Sequence, residues 1–312
     1  MPKRDFLTLA DLTLPEAREV LALARVLKEE RREDPARRTS LLAGRSVAVV
    51  LEKPSTRTRV SFEVGIAQLG GYPVVLGVEG SQLGRGEPIR DTARVLARYC
   101  DAIAYRTSSP SRLQHMATAP VPVINALSDD GHPVQVLCDV FTIEEALAPR
   151  RIENLRVAFV GDGSSNMARS WVEAARLFGF HLALAAPHGY RPPQDELSLA
   201  GSQVSVYDEP RQAIHGADVV NTDVWTSMGQ EAENAHRQEA FSRWTLNAPM
   251  LAGASEHAIV LHCLPAHRGE EIDEETLEGP RSRVWDQAEN RLHVQKALLV
   301  WLLGLSPQVT AG

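Results

Sequence analysis

Apolar residues fall in short runs along this chain, and the spacing inside each run sets the element it predicts. Between residues 12 and 32, Leu21, Leu23, Ala24 and Leu27 recur at helical spacing and the segment ends in charge, which predicts a surface helix. The run SVAVVL at Ser46–Leu51 is short, uninterrupted and β-branched, as a strand buried on both faces requires. Residues 57–69 then predict a helix closed by Gly70-Gly71, residues 73–78 a strand, and residues 91–99 a helix. Further strands are expected at 102–105 and 121–125. Strands alternating with helices indicate a parallel sheet covered by helices.

The alternation restarts at Arg156, where RVAFVGDGSSNMARS predicts a strand, a glycine turn and a helix running to about Phe178. HLALAAP, QVSVYD, DVVNTDVW and IVLHCLP predict the strands that follow. Two separate series give an α/β fold class with two doubly wound parallel-sheet domains, 1–146 and 147–312, joined near residues 144–154. The apolar stretch ENRLHVQKALLVWLLG predicts a last helix at about 286–304. Its pattern alone fits either domain; its expected place is back on the first.

Composition narrows the class. A chain of 312 residues exceeds the usual size of one core, and 44% hydrophobic with 23% charged residues is ordinary for a globular protein. The net charge of -7 argues against nucleic-acid or anionic-membrane partners, so any anion site must be a local positive pocket. Cys100, Cys138 and Cys263 are too few and too scattered for a disulfide framework or a zinc cluster, and Cys100 and Cys138 sit in apolar segments expected to be core. The Cys and His residues show no ligand spacing along the chain, so neither a metal nor a cofactor is expected. The first twenty residues lack a signal-like apolar core and no stretch reaches membrane-spanning length, which makes a cytoplasmic enzyme the expectation.

Candidate chemistry begins after the first strand, at KPSTRTR. Backbone N–H groups at a helix start have no intrahelical partner, and the helix dipole adds positive potential there. Hydroxyls of Ser55, Thr56 and Thr58 and the guanidinium of Arg57 add donors, a set suited to a tetrahedral anion. Ser55 or Thr56 alone would equally serve as a helix cap. A nucleotide-binding phosphate loop is excluded, because no GKS or GKT is present. VAFVGDGSSNMARS imitates a dinucleotide turn, but Asn166 stands where the third glycine belongs and the next strand ends in AAP without an acidic residue.

KPSTRTR followed by VSFEVGIAQLGG resembles the carbamoyl-phosphate loop of the aspartate and ornithine carbamoyltransferases. The resemblance continues in order through GSQLGRGEPIRDTARVLARYCDAIAYR, HPVQVLCD, VGDGSSNMARS, DVWTSMGQE, HCLPAHRGEE and AENRLHVQKALLVWLL. SMG and HCLP are similar to the ornithine branch. What the family implies is an active site in the cleft between the two domains, with no cofactor. There the carbamoyl group passes from carbamoyl phosphate to the δ-amine of L-ornithine, a step of arginine biosynthesis or catabolism. The alternatives are another acceptor (putrescine, an N-acylornithine or aspartate) or a Rossmann-like binding protein that kept the fold without the chemistry.

The resemblance also assigns residues. Ser55, Thr56, Arg57 and Thr58 would hold the phosphate, Arg291 would close that pocket, and Gln82 would reach it from a neighbouring subunit, implying a homotrimer or an assembly of trimers. Arg106 and His132 would face the carbonyl oxygen, and Gln135 the carbamoyl amide, beside Pro133 and Val134. Val134 stands where many relatives carry cysteine. Asn166, Asp223, Ser227 and Met228 fall to ornithine, with Ser165 where many relatives have a second asparagine. Cys263 and Leu264 would line the site beside the amine, Cys263 orienting it without a covalent intermediate, and the Leu264-Pro265 bond is expected to be cis. The implied catalytic set is Arg106, His132, Cys263 and Asp223.

Overall fold

The computed structural model of the chain describes residues 3–36, 39–78, 86–226 and 231–305. Two compact units emerge: Met1–Val134 with Glu289–Gly312, and Gln135–Ala288. In chain order the first holds α1 (Leu14–Glu33), β1 (Ser46–Leu51), α2 (Thr56–Gln68), β2 (Tyr72–Gly77), α3 (Ile89–Tyr99), β3 (Ala102–Arg106), α4 (Pro110–Met116) and β4 (Val123–Leu127). The division falls inside α5 (Pro133–Ala146), where the sequence reading drew it at residue 146. Punctuation in a sequence marks only where a helix ends, not where the packing around it changes.

The first sheet is parallel with strand order β2-β1-β3-β4. Because β1 lies between β2 and β3, the crossover through α2 runs one way and the next, through α3, runs back; right-handed crossovers then place the two helices on opposite faces. Packing agrees. Ala48, Val50, Ile103 and Tyr105 cluster with Ile89, Ala93 and Leu96 of α3 and Leu113 and Met116 of α4. Val47 and Val49 point the other way and are equally buried.

The second unit continues with β5 (Arg156–Val160), α6 (Asn166–Phe178), β6 (His181–Ala185), α7 (Gln194–Ala200), β7 (Val204–Tyr207), α8 (Pro210–Ile214) and β8 (Val219–Thr222). It closes with α9 (Asn234–Ala240), α10 (Ala248–Leu251), β9 (Ile259–His262), α11 (Glu274–Glu278) and the start of α12 (Val284–Leu302). Its sheet is parallel in the order β7-β6-β5-β8-β9. Ala158, Val160, Ala183, Val220 and Val260 pack with Ala213 and Ile214 of α8 and with Phe241, Trp244, Leu251 and Leu277. Each sheet therefore reverses its winding once, beside β1 in the first and beside β5 in the second. The carboxyl ends of the strands at such a reversal are where open α/β sheets bind ligands.

From Glu289 on, α12 belongs to the first unit and lies against α1 and α2. A Cβ on Gly65 of α2 would stand 3.2 Å from Lys296 Cγ and 3.3 Å from Leu292 Cδ1, so the two helices approach as closely as a glycine permits. Lys296 Nζ donates to Gln68 Oε1 at 3.2 Å and Lys28 Nζ to Asn290 Oδ1 at 2.7 Å. No helix among the described residues is long and apolar enough to cross a membrane.

Two sequence expectations shift. The strand expected at 121–125 is Val123–Leu127, because Pro122 has no N–H to enter the ladder. The short helices α4 and α7 to α11 gave no periodic signal; α4, α10 and α11 start at Ser109, Asn247 and Asp273, whose side chains accept from the first turn.

His293 on α12 is pushed down to about 3, first by burial and then by Lys296, Lys28 and Arg31, which outweigh the exposed Glu289 carboxylate 3.7 Å away. Below the ordinary histidine value of 6.5 the unfolded chain takes a proton that the folded chain refuses, so this residue's contribution to stability is present above 6.5 and is lost as pH falls toward 3. Urea unfolding between pH 6 and 4.5 should show His293→Gln with a pH slope shallower than the parent's by about 1.4 kcal/mol per unit. Equal slopes would contradict this account.

Candidate active site

The first half-site is built at the carboxyl end of β1. Ser55 has extended backbone and its side chain accepts from Thr58 N at 3.3 Å, which starts α2 and puts Thr56, Arg57 and Thr58 in its first turn. The β1–β3 register pairs Leu51 with Arg106, so Arg106 leaves its strand beside the same turn. Arg106 Nη1 lies 3.5 Å from Thr58 Oγ1, and Arg291 Nη2 donates to that oxygen at 3.2 Å. Arg291 Nη1 is 3.5 Å from His132 Nε2. Thr58, Arg291, His132 and Arg106 are only 1%, 3%, 5% and 9% exposed. Burial holds the His132 imidazole well below its ordinary value, and the charges of Arg291, Arg106 and Arg57 hold it lower still. Guanidinium groups gathered this closely repel one another, and an anion among them relieves that repulsion.

Glu52 supports the cluster from behind. Its backbone N–H donates to Arg106 O at 2.9 Å, and its carboxylate accepts from Tyr105 Oη at 2.6 Å, from Arg112 Nε at 2.9 Å and from Thr107 Oγ1. Burial works against its charge, yet the bonds from Arg112, Thr107 and Tyr105 hold the carboxyl below the usual range.

The second half-site collects at the carboxyl ends of β5, β8 and β9. Asn166 is the first residue of α6, whose cap Ser165 accepts from Ala168 N at 3.2 Å. Asp223 follows β8 and Cys263 follows its neighbour β9, and Cys263 Sγ donates to Asp223 Oδ1 at 3.1 Å. Burial pushes the Asp223 carboxyl up, against the pull of His262, the Cys263 thiol and the Val224 N–H, with Glu271 adding to the rise. Leu264 takes φ 60, a left-handed conformation rare outside glycine, and the Leu264-Pro265 bond is cis. Leu264 N donates to His262 Nδ1 at 2.8 Å, so the imidazole proton sits on Nε2 and is donated to Glu271 Oε1 at 2.9 Å. Gln135 Nε2 and Gln287 Nε2 both donate to Asp139 Oδ1, at 2.8 and 2.7 Å, and Gln287 Oε1 accepts from His262 N at 2.9 Å. Val134 is buried and Pro133 opens α5.

Folding also gathers metal-ligand types that the linear spacing did not show. Ligand atoms of Asp223, His262 and Cys263 lie within 4.8 Å of one another, as do those of His267, Glu270 and Glu271. Both nitrogens of His262 are already engaged, by Leu264 N and Glu271, so the first group is a hydrogen-bonded relay rather than an open ligand set.

Two halves of this geometry coincide with two halves of a known family. Residues 4–145 match the family model described as "Aspartate/ornithine carbamoyltransferase, carbamoyl-P binding domain", and residues 153–302 match "Aspartate/ornithine carbamoyltransferase, Asp/Orn binding domain". The chain belongs to the aspartate/ornithine carbamoyltransferase family. An ornithine carbamoyltransferase of Sorangium cellulosum is 68% identical over 311 residues, spanning 98% of this chain and 99% of its own. The solved ornithine carbamoyltransferase of Pyrococcus furiosus is 42% identical with a TM-score of 0.90, covering 97% of each chain. That of Thermus thermophilus is 40% identical with a TM-score of 0.87, covering 96% of this chain and 98% of its own.

Within this carbamoyltransferase fold, the residues singled out in sequence fall into two groups. Ser55, Thr56, Arg57, Thr58, Arg106, His132 and Arg291 lie in the first unit, with Thr58, Arg106, His132 and Arg291 in one contact network. Gln135, Asn166, Asp223, Cys263 and Leu264 lie in the second. Gln82, Ser227 and Met228 lie outside the described residues. Sequence reasoning missed Glu52, Asp139, Glu271 and Gln287: Glu52 and Gln287 bond partners distant in the chain, while Asp139 and Glu271 each also accept from a residue four positions earlier, Gln135 and His267. Only the glutamate doublet in HCLPAHRGEE offered a hint.

Histidine NMR tests the electrostatics of the Thr58, Arg106, His132 and Arg291 cluster. His132 in the parent should titrate well below the ordinary histidine value of 6.5, and its pKa should rise in Arg291→Gln, which removes a neighbouring charge. A parent His132 titrating near 6.5 would contradict the structure.

Proposed function

We propose that this chain transfers the carbamoyl group of carbamoyl phosphate to the δ-amine of L-ornithine, giving L-citrulline and phosphate. The observation that carries the reading is the convergence of Arg106 and Arg291 on Thr58, with Arg291 also on a neutral His132: a dry, cationic pocket at a helix N-terminus. The acceptor assignment rests on the second unit's Asp223–Cys263 pair and on relatives that bear the name ornithine carbamoyltransferase.

The phosphate lies against Ser55–Thr58 with Arg57 and Arg291 as counter-charges. Arg106, Thr58 and His132 donate to the carbonyl oxygen; a neutral imidazole supplies an N–H without adding another charge. Gln135, whose amide nitrogen is committed to Asp139, presents its oxygen to the carbamoyl NH2. Asp223 and Asn166 hold the amino acid, together with Ser227 and Met228. A δ-amine resembles a lysine ammonium, with a reference pKa of about 10.4, so its free base at pH 7 lies roughly 4–5 kcal/mol uphill. The guanidinium charges favour the neutral amine by repelling a second cation, and Cys263 orients it. The amine nitrogen attacks the carbonyl carbon, the tetrahedral oxyanion collapses, the bond to the phosphate oxygen breaks, and the leaving phosphate takes the amine's proton. No dedicated strong base is needed.

The same reading makes the protein a cytoplasmic homotrimer serving arginine metabolism, with Gln82 contributed by a neighbouring subunit. A citrulline assay with an acceptor panel of ornithine, putrescine, N-acetylornithine and aspartate tests the assignment directly; a preference for any acceptor other than ornithine overturns it. Arg106→Ala should lower kcat at least a hundredfold in a folded protein, and near-normal turnover would remove its oxyanion role. Mixing inactive Gln82→Ala with inactive Arg106→Ala subunits should restore activity, since a mixed assembly contains sites with both residues intact. Confirmed subunit exchange with no recovery would sink the shared site.

A further inference from the structure

Arg237 is 5% exposed, sits in none of the motifs that carry the resemblance, and has no part in the chemistry above. Its Nη1 donates to Asp162 Oδ2 at 2.6 Å and to the Trp225 carbonyl at 2.9 Å, and its Nε donates to Glu233 Oε2 at 2.9 Å. Asp162, also 5% exposed, turns its other oxygen to Ser164, accepting from the backbone N at 2.9 Å and from Oγ at 2.6 Å. This is the turn that delivers Asn166 to the start of α6. Trp225 lies two residues after Asp223. One buried guanidinium thus ties the turn bearing Asn166 to the segment bearing Asp223.

The tie closes into a ring. Trp225 stacks on Phe241 with centroids 5.7 Å apart, Phe241 meets Tyr190 at 4.8 Å, and the Arg237 guanidinium lies 5.0 Å over the Tyr190 ring. The Tyr190 carbonyl in turn presses on the Asp162 turn: a Cβ on Gly163 would stand 2.9 Å from that oxygen, 2.9 Å from Leu184 Cδ2 and 2.9 Å from Pro192 Cδ. The turn cannot move outward against that wall, and Arg237 holds it from the other side. A buried ion pair is a weak source of net stability, because desolvation offsets its attraction. Its directional bonds are better suited to fixing the spacing of what they connect.

We propose that Arg237 and Asp162 are positioning residues for the acceptor amino acid: by locking the Asn166 turn to the Asp223 segment they set the distance at which the acceptor's charged groups are gripped. The inference rests on the ornithine reading given above and adds to it the two residues that set affinity without touching substrate. Asp162→Asn keeps an acceptor for Ser164 and removes the charge that holds Arg237; Arg237→Lys keeps the charge and loses the planar fork.

Steady-state kinetics on both variants, with thermal melting alongside, tests it. Each variant should raise KM for ornithine at least tenfold and the inhibition constant of L-norvaline, the acceptor skeleton without its δ-amine, in parallel. KM for carbamoyl phosphate should stay within twofold. Addition of millimolar guanidinium to Arg237→Ala should recover part of the ornithine affinity. An unchanged ornithine KM in a folded variant overturns the proposal. So does a rise in both KM values together, or failure of both conservative variants to fold, since either makes the pair a general structural element. If the parent enzyme itself makes no citrulline, the functional reading fails instead, and the two failures are distinguishable.

Discussion

Positive charge held in a dry place is the constraint around which the first unit is organised. Arg106 and Arg291 meet at the hydroxyl of Thr58, and their charges, with that of Arg57, reach a buried imidazole that responds by giving up its proton. The repulsion is sustained by covalent and packing constraints. Parallel pairing aligns Leu51 with Arg106. Ser55 ends the intervening loop and begins α2, and the absent side chain at Gly65 lets α12 come close enough for Arg291 to reach back. In a chain whose net charge is -7 this cluster is a local inversion of the protein's field, of the kind that suits an anion.

The second unit follows the opposite logic with the same device. Burial raises the Asp223 carboxyl as it lowers the His132 imidazole, so in each of these two groups the neutral form is favoured. On the proposed reading a substrate supplies the counter-charge in each case: a phosphate for the guanidiniums, an ammonium for the carboxylate. Rigidity comes from groups that touch neither substrate in this account. Asp139 accepts from Gln135 and Gln287, Gln287 accepts from His262, and His262 joins Leu264 to Glu271.

What the chain disclosed in advance follows from where each signal resides. β1 was legible to the residue because a buried parallel strand needs an unbroken β-branched run, and Ser55 was legible as a cap because the N–H that donates to it lies three residues away. Arg106, His132 and Arg291 carry no periodic or local signal; motif resemblance alone singled them out. The supporting shell stayed hidden for a different reason. Arg237 and Asp162 are 75 residues apart, Gln287 and Asp139 are 148 apart, and neither pair lies on a pattern of period two or 3.6. Short helices such as α8 and α10 were missed because four or five residues cannot develop an apolar stripe.

On the proposed reading, binding the acceptor and activating it make conflicting demands on Asp223. A fully ionised carboxylate grips an ammonium best, yet an ammonium is not a nucleophile. The Cys263 thiol bears on that conflict because it occupies one oxygen of the carboxyl and sits on the adjoining strand end, so the carboxyl has a neutral donor to fall back on. A carboxyl whose charge is discouraged by burial and partly satisfied by a thiol attracts a cation less tightly than a bare carboxylate would. That weaker attraction lowers the cost of the amine's deprotonation, while the phosphoryl donor carries off the proton with the leaving group. In that reading the thiol acts through a hydrogen bond and its sulfur needs no covalent step, in keeping with its bond to Asp223 and with a neighbouring His262 whose two nitrogens are already engaged.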